Sequence, residues 1–262
     1  MDLVTLLVAG ALAGTAAGLL GIGGGVIIVP VLSLVFENKG VAPDIIIKVA
    51  VGTSLATIAV TATSSIWAHH RRGAVRWSLV RTMTPGVVVG SLFGAWLADI
   101  IPGYWLTLGF VIFLALVSLQ MAIGPVSTDR ELPGPRVLQV ISATVGCISA
   151  LMGIGGGALH VPYLSWHNVA VKQAIATAAA IGFPLALAST AGFIVTGLDE
   201  TELPLHSLGY INLPAFSGVV VASFLFAPLG ARLAHQLPDL FIKRLFALFL
   251  FILALRMAFK ML

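Results

Sequence analysis

Four glycines fall within five residues at Gly21-Ile22-Gly23-Gly24-Gly25, and the same string recurs at Gly153-Ile154-Gly155-Gly156-Gly157. A Val-Pro pair follows each copy, Val29-Pro30 and Val161-Pro162. Glycine loses more backbone freedom in a helix than any other residue, so a run this dense breaks one. A glycine turn feeding a helix start points several N–H donors and the positive end of the helix dipole at one spot, which suits an anion. Gly21, Gly23, Gly24 and Gly25 with Gly153, Gly155, Gly156 and Gly157 are therefore the first candidates for a binding site. Glycines also serve simply to let helices approach closely. Two copies of the break, each followed by proline, favour the site.

Polar residues beyond the breaks extend the set. Lys48 and Lys172 open the matching stretches KVAVGTS and KQAIATA, which place Thr53 over Thr177. The hydroxyls of Thr53, Ser54 and Thr177 are candidates to line a pocket, with Lys48 and Lys172 as a positive mouth. The plainer readings are lysines snorkelling to lipid headgroups and hydroxyls bonding back to their own helix. Ser64, Ser65 and Ser189 are open in the same way. His160 stands three residues after the second glycine run, where the first copy has Ile28. It is either a proton carrier or ligand donor, or a core histidine with its partners satisfied. Carboxylates are absent from the centre of every apolar segment, which argues against an Asp/Glu proton relay. His69, His70, Arg71 and Arg72 read as a positive anchor at a membrane face beside Trp67 and Trp77 rather than as a metal site. Cys147, the single cysteine, reads as a small packing residue. No metal or cofactor is expected.

The elements that must position these residues are helices in a bilayer. Of 262 residues, 59% are hydrophobic and 9% charged, and mean hydropathy is +1.07. A water-soluble surface needs roughly a quarter charged residues, so lipid must solvate much of this one. The first apolar segment lacks a basic leader and is expected to stay in the fold. A net charge of +4 is spread over short loops, so no nucleic-acid partner is implied. Five apolar segments fall in each half: 3–20, 24–36, 46–68, 82–99 and 104–124, then 137–152, 156–166, 172–197, 209–229 and 240–260. The second segment of each half is too short to cross easily, since a span needs about 20 residues.

The glycine strings, the lysine stretches, and GAWLADIIP (94–102) over GARLAHQLP (230–238) match in order. That order makes the chain one transmembrane domain, 1–262, of two repeats, 1–124 and 137–262, joined by the polar linker 125–136. The basic loop 69–76 and the linker mark the cytoplasmic side, and the acidic loop 197–206 the outside. Equivalent loops then face opposite ways. The expected fold is an all-α membrane protein of two inverted repeats, about five helical segments each, with glycine-broken helices near the midplane and both termini outside. Standard catalytic sets such as H-E-x-x-H and G-x-S-x-G are missing, which counts against an intramembrane enzyme. A channel needs a symmetric pore or a continuous polar stripe. Short loops leave little surface for partners beyond the lipid bilayer and a small anionic substrate, with self-association open.

At these residues the chain resembles the sulfite exporter TauE/SafE family of bacterial membrane proteins. The likeness rests on G-x-G-G-G at 21–25 and 153–157 with the following Val-Pro pairs, on A-V-G-T-S at 50–54, and on the two-fold repeat. It implies a multi-pass protein of the bacterial cytoplasmic (inner) membrane. It also implies a carrier, possible in the export direction, of sulfite, a sulfonate, sulfoacetate or a related organic anion. One departure stands out: the second copy has Ala176-Thr177-Ala178 where the first has Gly52-Thr53-Ser54.

Overall fold

The structure, a computed structural model, describes residues 3–20, 24–123, 131–236 and 239–261. Within them lie ten helices and one short hairpin. The first half holds α1 (Leu3–Leu20), α2 (Gly25–Glu37), α3 (Pro43–Arg71), α4 (Trp77–Ile100) and α5 (Gly103–Ile123). The second holds α6 (Pro135–Met152), α7 (Gly157–Trp166), α8 (Val171–Thr196), the strands β1 (Ser207–Leu208) and β2 (Ile211–Asn212), α9 (Leu213–Gln236) and α10 (Asp239–Met261). The chain is an all-α membrane protein. The helices α3, α4, α6 and α8, and Gly103–Gln120 of α5, are long and apolar enough to cross a bilayer. Their outer faces expose Val89, Trp96, Leu116, Val140 and Val195, which only lipid can cover at this density.

The centre is α3 against α8. Burial in α3 is continuous from Val49 to Ala59, and α8 buries Ala176–Ala178, Ala180–Gly182, Leu185 and Ala186. Small residues let these two backbones approach. The chain leaving each of them returns to the early turns of the other. The Arg76 N–H, just after α3, donates to Thr177 Oγ1 at 3.1 Å, and the Asn212 N–H, after α8, donates to Thr53 Oγ1 at 3.0 Å. The two long helices therefore run in opposite directions.

Six of the remaining helices pair across the halves, α1 on α9, α6 on α4, and α5 on α10, while the short α2 and α7 pack mainly on α3 and α8 of their own halves. The closest approaches are made at glycine. A Cβ on Gly14 would sit 2.6 Å from the Ser223 Cα, and one on Gly146 would sit 2.5 Å from the Val87 carbonyl oxygen. In the register of the two copies Gly14 corresponds to Gly146 and Ser223 to Val87, so the halves trade equivalent contacts.

Several boundaries differ from the apolar runs. Residues 209–212, expected to open a helix, form the turn and second strand of the β1–β2 hairpin instead. Gly209 takes a left-handed φ of 53°, and Asn212 caps α9 by accepting the Ala215 N–H on Oδ1 at 3.1 Å. The helices α3 and α4 begin at Pro43 and Trp77, ahead of their apolar runs at 46 and 82. Apolarity marks the part kept from water, whereas proline at the first turn marks where α3 starts. The linker expected at 125–136 closes at Pro135, where α6 begins, and its residues 125–130 lie outside the described residues.

Candidate functional site

The second glycine run ends one helix and starts another. Gly153 takes φ 65°, ψ 29°, a left-handed conformation that costs a side-chain-bearing residue about 1 kcal/mol or more. The N–H of Gly153 reaches the Ala150 carbonyl at 3.3 Å, and that of Ile154 reaches the Ser149 carbonyl at 3.1 Å. These bonds close α6. Gly156 then caps α7 with no side-chain bond to its first-turn amides, and every residue from Gly153 to Ala158 is buried. In the first half Gly24 takes φ 72° and caps α2, again with no side-chain bond. Its carbonyl accepts from Ile27 and Ile28 at 3.0 Å each. Gly21 and Gly23 lie outside the described residues.

The two breaks touch. A Cβ on Gly25 would overlap the Gly153 carbonyl oxygen and stand 3.0 Å from the Ile154 Cα and 2.9 Å from Ile58 Cδ1. Ser54 fixes that same carbonyl by donating its hydroxyl at 2.8 Å. Gly182 of α8 closes the far side, 3.5 Å from the Gly156 nitrogen to where its own Cβ would be. Gly24, Gly25, Gly153, Gly155, Gly156 and Gly157 are thus buried around the start of α7, between α2, α3 and α8.

Thr53 and Thr177 sit nearby, fully buried, but each hydroxyl already receives a backbone N–H from the opposite half. The residues around them explain the departure between copies. The Tyr210 carbonyl oxygen would lie 2.7 Å from a Cβ at Gly52, so the hairpin admits only glycine there. Ser54 has the Gly153 carbonyl to serve. Asn212, Tyr210 and Gly182 escaped the sequence reading. A glycine two residues before Pro184 was the available signal for Gly182, whereas a hairpin of two-residue strands leaves no periodic trace.

The lysines do not reach the breaks. Lys48 donates to the Asp99 carbonyl and lies 5.8 Å over the Tyr210 ring, whose hydroxyl donates to Asp99 Oδ1 at 2.6 Å. Lys172 is exposed in the first turn of α8. At the basic end of α3, Trp77 Nε1 donates to His70 Nδ1 at 3.2 Å, and Arg71 stacks over Trp67 at 4.6 Å. His160 is completely buried. Its Nδ1 lies 2.9 Å from the Gly156 carbonyl oxygen, and its Nε2 has no partner among the described residues. The hydroxyls of Ser149 and Ser189 are likewise buried without partners.

A helix end buried with no cap leaves its first amides short of acceptors, and a ligand is one way to supply them. Unpaired amides in an apolar surround cost several kcal/mol in a non-hydrogen-bonding medium. The arrangement can therefore hold a compact anion against the start of α7, with the start of α2 alongside.

Comparison with known proteins agrees with a membrane transporter. Residues 6–257 match the family described as Sulfite exporter TauE/SafE. A Haemophilus influenzae protein named probable membrane transporter protein is 36% identical over 97% of this chain and 97% of its own length. A Methanocaldococcus jannaschii protein of the same description is 29% identical over 88% of this chain and 86% of its own. One from Xylella fastidiosa is 31% identical over 74% of this chain and 73% of its own. No solved structure matches the chain.

Proposed function

The chain belongs to the sulfite exporter TauE/SafE family of membrane transporters, and from that premise we propose that it carries a small sulfur-containing or organic anion, such as sulfite, a sulfonate or sulfoacetate. The observation that carries this reading is the contact between the two glycine breaks, where the uncapped, buried start of α2 at Gly25 meets the Gly153–Ile154 turn that leads into the equally uncapped start of α7. Backbone amides suit a compact, multiply oxygenated anion because they donate without bringing a charge that must itself be neutralised.

In this reading the residues 1–124 and 137–262 are inverted copies, with 125–136 and 69–76 in the cytoplasm and both termini outside the inner membrane. The opposed course of α3 and α8 and the exchanged Thr53 and Thr177 bonds support it. A short helix from each copy contributes amides to one central site, and rocking of one copy against the other opens that site to alternate sides. Thr53, Ser54 and Thr177 hold the frame of the site. Lys48 and Lys172 stand near the starts of α3 and α8, at opposite faces of the membrane in this reading, and draw anions toward the bilayer.

Flux into proteoliposomes tests the proposal. Sulfite, sulfoacetate or a short sulfonate is expected to enter saturably and to be inhibited by the other anions. An ohmic conductance without saturation points to a channel, and no protein-dependent flux of any of them removes the proposed substrate class.

A further inference from the structure

We infer that this transporter moves one proton with each anion, and that His160 Nε2 is the atom where the two meet. The inference rests on the anion site proposed above and adds its coupling ion.

The tautomer follows from geometry. His160 Nδ1 faces the Gly156 carbonyl oxygen at 2.9 Å, and a carbonyl only accepts, so Nδ1 carries the hydrogen. In the neutral ring Nε2 is then a bare lone pair. That atom is buried and, among the described residues, unpartnered, in a residue with no exposed surface. The imidazole lies over the uncapped start of α7, because a Cβ on Gly156 would stand 2.8 Å from Nδ1 and 3.4 Å from Cε1. The same turn thus offers amide donors that need an acceptor and a ring nitrogen that needs a donor. A bare anion satisfies only the first need. An anion with a proton satisfies both.

Charge balance leads the same way. Most of the packing on α7 comes from α8 and α6, none of the three carries a carboxylate, and α2, whose start lies alongside, has its one carboxylate, Glu37, at its far end. Their ionisable groups are Lys172 and Arg136, both exposed at helix starts, Cys147 against α4, and Tyr163 stacked on His167. The charges of α3 stand at its two ends, Asp44 and Lys48 at one and His69 to Arg71 at the other. An imidazolium at His160 would therefore be a buried charge without a protein counter-ion, which is strongly disfavoured. An anion beside it removes that penalty, and the proton in turn neutralises the anion. The step balances: a hydronium ion breaks one O–H bond as its proton forms the Nε2–H bond and leaves water, Nε2–H donates to an anion oxygen, and on release that N–H bond breaks as the proton passes to a water on the far side, alongside the departing anion. A ligand arriving as its own protonated acid delivers the same stoichiometry through its O–H.

Proteoliposomes loaded with a pH-reporting dye test this, with sulfoacetate and methanesulfonate as probes. Methanesulfonate stays ionised and cannot bring its own proton. The parent protein is expected to acidify the lumen as anion enters, with the same concentration dependence for both signals. His160→Gln, checked for folding by size exclusion, is expected to lose at least tenfold of the proton signal per anion taken up. Saturable uptake by the parent without lumen acidification overturns the inference while leaving the anion carrier intact. A Gln variant that keeps the parent's proton-to-anion ratio also overturns it. Absence of saturable uptake in the parent overturns the carrier reading itself and this coupling with it. Should the Gln variant not fold, the parent's lumen signal decides alone.

Discussion

Side chains around the breaks divide into those that hold the frame and those left unpaired. Thr53 and Thr177 hold it, each accepting one backbone N–H from the other half of the chain. Replacing either with valine keeps the volume but leaves a backbone amide without its acceptor, the buried one of Asn212 at a cost of about 1–3 kcal/mol and the part-buried one of Arg76 at less. Both variants are expected to melt several degrees below the parent in detergent, and an unchanged Tm for either would show that its bond carries nothing. Gly52 and Ala176 occupy matching positions with opposite tolerances. Gly52→Ala meets the Tyr210 carbonyl and is expected to cost about 1–3 kcal/mol, whereas Ala176→Gly costs about 1 kcal/mol or less through backbone freedom. Equal Tm losses would contradict the role given to the hairpin.

Helices in this molecule meet through small residues rather than through complementary charge. Without water to expel, association in lipid relies on close backbone approach. The α4–α6 seam shows it: a Cβ at Gly90 would overlap the Ala143 carbonyl oxygen, while one at Gly134 meets nothing within 4 Å. Gly90→Ala is expected to lower Tm sharply, and Gly134→Ser to stay within about 0.5 kcal/mol of the parent. Comparable losses at the two sites would contradict this packing. The same physics decides what could be read from residues alone. Long apolar helices and the repeated Gly-Ile-Gly-Gly-Gly strings were legible because hydropathy and glycine density are local properties. The glycine spacing along α4, Gly86, Gly90 and Gly94, was readable as a packing stripe and was passed over in favour of the denser runs. The Tyr210 hairpin and the partners of Thr53 and Thr177 were not legible, because they join residues 101 to 159 positions apart through backbone atoms. No side-chain pattern records such bonds. The lysines stand at segment starts as their place in the sequence indicates, but the Asp99 carbonyl that takes Lys48 belongs to another helix and was not legible.

At the scale of the whole molecule, the halves are joined by reciprocal contacts, with α1 on α9 matching α6 on α4 and α5 meeting α10. If these halves are inverted copies, loops 69–76 and 197–206 face opposite sides of the membrane. Accessibility tags in the two loops are expected to label from opposite faces, and labelling from one face would remove the inverted arrangement. The central claim concerns what the buried helix starts hold. It is tested most directly by anion-dependent thermal stabilisation of the purified protein, measured against sulfite, sulfoacetate and short carboxylates. The parent should gain stability with at least one of these anions, by about 2.7 kcal/mol when the anion is present at 100 times its Kd. Folded Gly24→Val and Gly156→Val should lose most of that gain. Variants that fold and are stabilised by the anion as fully as the parent would contradict a site built from the two glycine breaks.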